Sequence, residues 1–255
     1  PSLLPRCGNE QYDPTDGFLV TTILSISGLT KQFGQLRAID ELDFQLEEGT
    51  VHGLVGPNGA GKTTLLSVLV GLRQKTHGNI QYGVSENRVM LLPDTPEFFP
   101  FLTTREVVDL ARYPFRDRVD VGAVDKVIAE VGLEEAVDRR VGGFSRGMKQ
   151  RVGLATVLIS EPQLLLLDEP CSALDPFGRR EVLDLVSGLK GKTTVLFSTH
   201  ILSDVESVCD SMTVMNKGRV LYDGPIDAFT NSDTQSFEDL ILDLLTTDSN
   251  NQGEK

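Results

Sequence analysis

The stretch that most constrains this chain is "GPNGAGKTT", residues Gly56–Thr64. The apolar run "VHGLVG" leads into it, and "KTTLLSVLVGL" leaves it with apolar residues at helical spacing. A buried strand, a glycine turn and a helix start are therefore predicted in succession. Glycines let successive backbone N–H groups point at one anion, and the helix N-terminus adds its positive dipole. The pattern predicts a phosphate-binding loop.

The spacing within this loop, G-x-x-x-x-G-K-[ST], indicates a role for its side chains. Lys62 is expected to reach the β- and γ-phosphates of a nucleotide, and the Thr63 hydroxyl to ligate Mg²⁺. The other candidate phosphate-binding residues are Gly56, Pro57, Asn58, Gly59, Ala60, Gly61 and Thr64. An ordinary glycine turn would not need a strand before it and a helix after it.

An acidic pair about 100 residues later supplies further oxygen ligands for Mg²⁺. In "LLLLDEP", Asp168 would lie at the end of a buried strand, close to the metal. Glu169 beside it could orient and deprotonate an attacking water. Because acidic residues often simply end strands, this interpretation depends on the pairing with the phosphate loop.

Apolar patterns elsewhere predict an α/β fold. "ILSISGL" and "ELDFQLEE" alternate apolar and polar residues as half-buried strands do, and "LLLLD" and "TTVLFSTH" are typical of central parallel strands. Helical patterns over about 177–190 and 201–209 alternate with them, which indicates a parallel sheet. "SMTVMNKGRVLYDG" predicts a hairpin, and "FEDLILDLLTT" a late amphipathic helix.

These patterns divide the chain into three parts. Residues 1–22 lack periodicity and are predicted to be a flexible tail. Residues 23–224 form the core, in which the helix-rich stretch of about 95–160 is predicted to be a separate helical subdomain. Residues 225–255 would hold the late helix and a polar tail.

Composition limits the partners that are expected. The net charge of −13 disfavours nucleic acid and anionic lipid as primary partners. No apolar run approaches the roughly 18 residues of a membrane span, so a cytosolic protein is expected. Cys7, Cys171 and Cys209 are too widely spaced to indicate a metal site or a disulfide framework. His52 and His77 lack nearby ligands, so structural roles are expected for both.

Taken together, the motifs resemble the nucleotide-binding subunit of ATP-binding cassette (ABC) transporters, over about residues 23–224. "GPNGAGKTT" is similar to the family's Walker A motif, and "LLLLDEP" to its Walker B motif with the catalytic Glu169. "SALD" resembles the D-loop, which places Asp175 at a subunit contact, and "STH" places His200 at the switch histidine that touches the γ-phosphate. Phe33 in "KQFG" occupies the position of an aromatic residue that stacks on adenine. The resemblance implies an ABC-type P-loop fold with a parallel sheet, an antiparallel β subdomain and a helical subdomain.

The segment "FSRGM" resembles the family's signature motif, usually LSGGQ. Phe144, Arg146 and Met148 replace the family's residues, whereas Ser145 and Gly147 remain. The resemblance implies that two cassettes pack head to tail, so that Ser145 and Gly147 contact the γ-phosphate held by the partner. A plain helix cap is the alternative for Ser145. Whether Arg146 reaches phosphate or solvent stays open.

A second departure from the family pattern is Asp94, which stands where the family usually has a glutamine that ligates Mg²⁺. A carboxylate can still ligate Mg²⁺, directly or through water. Asp94 is therefore predicted to alter coupling or metal dependence more than nucleotide affinity. The alternative is a turn aspartate before Thr95 and Pro96.

The resemblance implies a subunit that binds and hydrolyses ATP with Mg²⁺. It would dimerise with a second ATP-binding subunit, identical or different, and energise separate integral-membrane permease subunits that dock around residues 94–118. Its expected location is the inner face of the cell membrane. The wording "SRGMKQR" and the short C-terminal region favour an exporter-type, multidrug-like cassette. The alternatives are an ABC ATPase in an assembly or regulatory complex without a permease, and a P-loop kinase.

Overall fold

A computed structural model describes residues 10–12, 19–172, 174–229 and 236–252. The strands are β1 (Glu10–Tyr12), β2 (Leu19–Phe33), β3 (Leu36–Glu47), β4 (Val51–Val55), β5 (His77–Tyr82), β6 (Val89–Leu92), β7 (Leu164–Asp168), β8 (Thr194–Thr199), β9 (Ser211–Asn216) and β10 (Arg219–Pro225). The α-helices are α1 (Lys62–Leu69), α2 (Thr104–Arg112), α3 (Ala123–Glu130), α4 (Arg146–Leu158), α5 (Pro176–Ser187), α6 (Leu202–Val208), α7 (Ile226–Phe229) and α8 (Phe237–Gln252).

A six-stranded sheet carries the central part of the fold, in the order β10-β9-β4-β8-β7-β6. Its strands from β9 to β6 pair in parallel, and β10 pairs antiparallel with β9. The predicted parallel sheet and the predicted hairpin are both confirmed. Parallel strands end at one edge of a sheet, so the residues that follow β4, β7 and β8 meet there.

Both faces of this sheet are covered, which explains why β7 is an uninterrupted leucine run. Side chains alternate between the two faces of a strand. Leu164 and Leu166 pack into a cluster with the antiparallel sheet and α1, whereas Leu165 and Leu167 pack into a cluster with the helices of residues 104–158. A strand with one exposed face would instead alternate apolar and polar residues.

The antiparallel sheet is built around β2, which pairs with β3, β5 and β1. The predicted strand "ILSISGL" lies within β2, and "ELDFQLEE" lies in β3 except for its last residue, Glu48. β2 begins at Leu19, before the predicted start of the core at residue 23, because its first residues pair with β1. The rest of the predicted tail, residues 1–9 and 13–18, lies outside the described residues.

The helix-rich stretch predicted at about 95–160 contains α2, α3 and α4. A capping box starts α2, in which Thr103 and Glu106 satisfy each other's backbone N–H groups. α4 lies close against β6 at Gly153. A Cβ there would lie 2.7 Å from Leu92 Cδ1 and 3.0 Å from Pro96 Cγ. The absence of a side chain at this position therefore sets how closely the helix approaches the sheet.

The late helix predicted from "FEDLILDLLTT" is present as α8. Phe237 and Ile241 pack with Val205 of α6 and with Met212 and Val214 of β9. This third cluster attaches the C-terminal helix to the antiparallel edge of the large sheet. Within the residues that the structure describes, no helix is both long and apolar enough to cross a membrane.

His52 and the described cysteines have buried surroundings. In β4, His52 Nδ1 lies 2.7 Å from Ser211 Oγ, and its Nε2 lies 2.8 Å from Thr213 Oγ1. Burial lowers the pKa of His52 to about 3, so the ring is neutral at pH 7. Cys171 and Cys209 are free thiols, and burial raises the pKa of Cys171 to about 12. Cys7 lies outside the described residues.

Candidate active site

The predicted strand–loop–helix unit is confirmed: residues 56–61 join β4 directly to α1. Gly61 caps α1 with a φ of 109°, in a region that L-residues rarely adopt. A Cβ at Gly61 would also lie 2.4 Å from the carbonyl oxygen of Ala38 in β3. The glycine therefore permits both the turn and the close approach of the antiparallel sheet to the phosphate loop.

Lys62 is held inside the loop by oxygen atoms. Its buried Nζ donates to the carbonyl oxygen of Gly56 at 2.7 Å and to that of Pro57 at 3.4 Å. The same ammonium group lies 3.2 Å from Glu169 Oε1. A buried cation is stable only when it is paired and hydrogen-bonded, and Lys62 meets both conditions. The structure thus places a positive charge at the loop and joins it to the candidate base.

Asp168 ends β7 beside the phosphate loop. The Thr63 hydroxyl donates to its Oδ1 at 3.2 Å, and the Ser198 hydroxyl donates to the same atom at 2.7 Å. Ser198 was not a sequence-predicted site residue. The available signal was its position at the end of the apolar run "TTVLFSTH", two residues before His200.

Glu169 has a backbone conformation that is uncommon for a non-glycine residue, with a φ of 48°. Its N–H donates to the carbonyl oxygen of Ser198 at 3.1 Å and also lies 3.0 Å from Ser198 Oγ. Its Oε2 lies 2.8 Å from His200 Nδ1. The side chain therefore spans the Lys62 ammonium and the His200 ring. A carboxylate held in this way can accept a proton from a water molecule.

The oxygens at this edge of the sheet fit a magnesium ion. Hydroxyl and carboxylate oxygens, as in Thr63 and Asp168, are the ligands that Mg²⁺ prefers. The described hydrogen bonds to the Asp168 carboxylate end on Oδ1, which leaves Oδ2 for another ligand. Over the described ranges, no group of three or more His, Cys, Asp and Glu side chains forms a metal cage. Mg²⁺ is typically bound through one or two carboxylates plus the phosphates of a nucleotide.

Ser145 starts α4 and caps it: its Oγ accepts a hydrogen bond from the Met148 N–H at 3.2 Å. The capping role that the sequence left open is thus present. In the part of the chain that is described, no hydrogen bond or ion pair joins Ser145 or Gly147 to the loop Gly56–Thr64. The contact of these two residues with phosphate stays a prediction.

Asp94 and Arg146, two of the departures from the family pattern noted in the sequence, contact each other. Arg146 Nη2 lies 3.3 Å from Asp94 Oδ1 and 3.2 Å from Ser172 Oγ. The Ser172 hydroxyl also donates to Asp94 Oδ1. Among the described contacts of Asp94, none reaches Thr63 or Asp168. Metal coordination by Asp94 therefore stays a prediction, and Arg146 has a partner within its own chain.

Phe33 lies at the end of β2 with a partly exposed ring. Lys31 Nζ lies 4.6 Å and Arg73 Cζ 5.3 Å from its centroid. Cations near an aromatic ring are attracted to it and would also favour a polyphosphate nearby. The surface around Phe33 is therefore suited to the base and phosphates of a nucleotide.

Asp175 caps α5 by accepting a hydrogen bond from the Gly178 N–H at 2.8 Å. Phe177 follows it and is 85% exposed. A large aromatic side chain with this exposure is a common feature of surfaces that meet another protein. The exposed Phe177 side chain thus lies two residues after Asp175, which the resemblance places at a subunit contact.

Comparisons with known proteins agree with this geometry. A family described as "ABC transporter" matches residues 39–172. The ABC transporter ATP-binding protein YxlF of Bacillus subtilis is 40% identical over 210 residues, which cover 80% of this chain and 71% of YxlF. The bacitracin transport ATP-binding protein BcrA of Bacillus licheniformis is 36% identical over 220 residues, which cover 82% of this chain and 71% of BcrA. The daunorubicin resistance ATP-binding protein DrrA3 of Streptomyces coeruleorubidus is 36% identical over 222 residues, which cover 82% of this chain and 70% of DrrA3.

Solved structures show the same architecture. An ATP-binding subunit of an ABC transporter superposes with a TM-score of 0.74 at 27% identity, over 88% of this chain and 99% of the other. The mixed sheet, the antiparallel sheet and the phosphate loop are thus those of a known class of ATPase domain. The chain belongs to the ABC transporter family, as an ATP-binding subunit that hydrolyses ATP.

Proposed function

We propose that this chain hydrolyses ATP at a site shared with a second ATP-binding subunit and that this cycle drives a separate membrane permease. One observation supports the proposal: the candidate residues fall into two separate groups, which we interpret as two half-sites. Lys62, Glu169 and His200 are joined by direct contacts at the ends of β4, β7 and β8. Ser145 caps a different helix and makes none of the described hydrogen bonds to that group. A second subunit would complete each half-site.

In the half-site that binds the nucleotide, each predicted residue has its own role. Phe33 stacks on adenine, and Lys62 with the backbone N–H groups of Gly56–Thr64 binds the phosphates. Thr63 and Asp168 would hold Mg²⁺, which would supply positive charge against the phosphate oxygens. Lys62 Nζ lies 3.2 Å from Glu169 Oε1, so a phosphate bound by the lysine would compete with this ion pair.

Glu169 then serves as the base. Its carboxylate takes the proton of the attacking water. His200, which contacts Glu169 Oε2, helps to position that water and the γ-phosphate. Because little covalent chemistry is required of a protein in phosphoryl transfer, positioning and charge account for most of the rate. The uncommon φ of Glu169 fits this need for a fixed orientation.

In the partner half, Ser145, the Gly147 N–H and the N-terminal dipole of α4 would face the γ-phosphate bound by the other subunit. Exposed Phe177, beside Asp175, supports such a contact. ATP would close the pair of subunits and hydrolysis would reopen it.

The permease is proposed to dock on the helical region near residues 94–118. An apolar cavity of about 540 Å³ lies there, and its lining includes Phe98, Phe99, Leu102 and Leu110. Phe99 and Leu110 are largely exposed, as expected for a surface that receives a partner helix. Docking would hold the subunit at the inner face of the membrane. Two of the relatives are named for bacitracin transport and daunorubicin resistance, which supports an exporter.

The test replaces Glu169 by glutamine in the full chain. Glu169→Gln keeps the shape of the side chain but removes the base, so turnover should fall by about 100-fold or more. ATP binding should persist, and light scattering with saturating ATP should show a dimer. Glu206→Gln, which changes an exposed glutamate of α6, is the matched control and should leave turnover unchanged.

Two results would contradict the proposal. Wild-type turnover in Glu169→Gln would show that Glu169 is not the base, and a strictly monomeric variant at saturating ATP would contradict the shared site.

The permease is tested separately, by isolating the tagged chain from gently solubilised membranes. Co-purification of only non-membrane proteins would favour the assembly-complex alternative instead.

A further inference from the structure

Asp94, Arg146 and Ser172 bring together three segments that are distant in sequence. Asp94 lies in the connection from β6 to α2, Arg146 is the first residue of α4, and Ser172 follows β7. One carboxylate oxygen, Asp94 Oδ1, accepts from both the guanidinium and the hydroxyl. Arg146 also donates to Ser172 Oγ, which closes a three-membered network. We call this group the Asp94 network.

Two of these segments carry a residue of the proposed site, and the third leads into the proposed docking region. Arg146 follows Ser145, which caps α4. Ser172 N–H donates to the carbonyl oxygen of Glu169 at 2.9 Å, so its turn includes the candidate base. Asp94 opens the connection whose next residues line the apolar cavity. The Asp94 network therefore links Ser145, the candidate base and the docking region within one chain.

Electrostatics explains why Arg146 needs Asp94. The N-terminal end of a helix carries partial positive charge, so a cation at the first helical position is unfavourable. The first turn of α4 has no acidic residue to compensate Arg146. The compensating carboxylate comes instead from Asp94, 52 residues earlier. The charges of these two departures from the family pattern thus offset each other.

Because the Asp94–Arg146 ion pair is partly exposed, its loss should affect the position of α4 more than the stability of the fold. The side chains of Arg146 and Asp94 are 46% and 43% exposed. Ion pairs with this exposure contribute little to folding, since water screens them. The chain should therefore fold without the pair. The effect of losing it should appear in the position of the start of α4 relative to the turn after Glu169.

We propose that the Asp94 network positions the start of α4, with Ser145, against the turn that follows Glu169. Arg146 and Asp94 then act as positioning residues for ATP hydrolysis. The consequence for turnover rests on the function proposed above, whereas the consequence for the position of α4 does not.

The experiment compares four forms of the full chain with wild type. They are Asp94→Asn, Arg146→Gln, the exchanged pair Asp94→Arg with Arg146→Asp, and the control Lys190→Gln. The control removes the Lys190–Asp210 ion pair, whose side chains are 37% and 43% exposed, a close match to the Asp94 network. Amide hydrogen exchange is measured without nucleotide, and kcat and KM for ATP with it.

Exchange is expected to speed up by about tenfold at residues 145–150 in both single variants. The thermal midpoint should stay at the wild-type value. Turnover should fall by about tenfold, with KM within about twofold, because the change affects position rather than ground-state binding. The exchanged pair should recover most of both losses, and Lys190→Gln should match wild type.

Wild-type exchange and kcat in both single variants would overturn the inference. So would an exchanged pair no better than the single variants, or a lowered thermal midpoint that accounts for the loss. If wild type itself hydrolyses no ATP, the proposed function fails, while the exchange data still decide whether Asp94 and Arg146 hold α4.

Discussion

Ser198 is the residue on which the two acidic candidates of the site converge. Its hydroxyl donates to Asp168 Oδ1 at 2.7 Å, and its backbone and side chain receive the Glu169 N–H. One buried serine of β8 thereby fixes the candidate metal ligand and the candidate base relative to each other. Chemistry that depends on position is sensitive to such a residue even when it does not touch the substrate.

Ser198→Ala is expected to lower kcat by about tenfold and to cost about 1–2 kcal/mol of stability, since Asp168 and Glu169 each lose a partner. Steady-state ATPase assays and urea unfolding measure the two effects. Ser160→Ala is the control: it removes an equally buried hydroxyl, bonded to Val157 at the far end of α4. A loss of stability without a loss of kcat would show that Ser198 is only a packing residue.

Long-range contacts explain what the sequence left unpredicted at this scale. Lys62, Thr63, Asp168 and Glu169 could be predicted as site residues because each belongs to a short motif with its own spacing. Arg146 and Ser198 were not assigned, because their partners Asp94 and Asp168 lie 52 and 30 residues away. No local pattern reports such a pair. Only the sheet order and the packing of α4 bring the partners together.

At the scale of elements, α8 depends on its neighbours. It is the last described helix, and its contacts run through Phe237 and Ile241 to α6 and β9. A helix in water is marginal by itself, so most of its stability comes from an apolar face that packs on something else. α8 is expected to melt when that face is weakened.

Two adjacent residues test this dependence. Ile241 is 1% exposed and Leu242 is 56% exposed. Ile241→Ala should cost about 2–5 kcal/mol, whereas Leu242→Ala should cost below about 0.5 kcal/mol. Urea unfolding gives both values. Equal costs would mean that α8 does not pack as described.

The elements themselves were largely predictable, and the reasons are physical. β7 and β8 are continuous apolar runs because both faces are buried, and this signal is local. The early start of β2 was missed, since its first residues are defined by pairing with β1 rather than by their own pattern. The order β10-β9-β4-β8-β7-β6 likewise arises from strand pairing, which local periodicity does not report.

At the scale of the whole molecule, the net charge of −13 opposes compaction. Salt screens this repulsion, and it also weakens exposed ion pairs, which contribute little. Repulsion is therefore the larger effect. The thermal midpoint should rise by several degrees between about 0.05 and 0.5 M NaCl.

Calorimetry across that range measures this rise. A variant with Glu134→Gln and Glu135→Gln, two exposed acidic residues, should have a shallower salt dependence than wild type. A midpoint that falls with salt in both forms would show instead that attractive pairs outweigh the repulsion.

The contact at Gly153 limits how the sequence of this molecule can change. A side chain there would meet Leu92 and Pro96, so any larger residue must displace either the end of β6 or the connection that begins at Asp94. Most single changes at this position should therefore be lost from a population of variants selected for activity. Half-buried sites elsewhere on α4, such as Lys149, should accumulate substitutions more freely. A deep mutational scan should show low tolerance at Gly153, even for small residues such as alanine, and higher tolerance at Lys149.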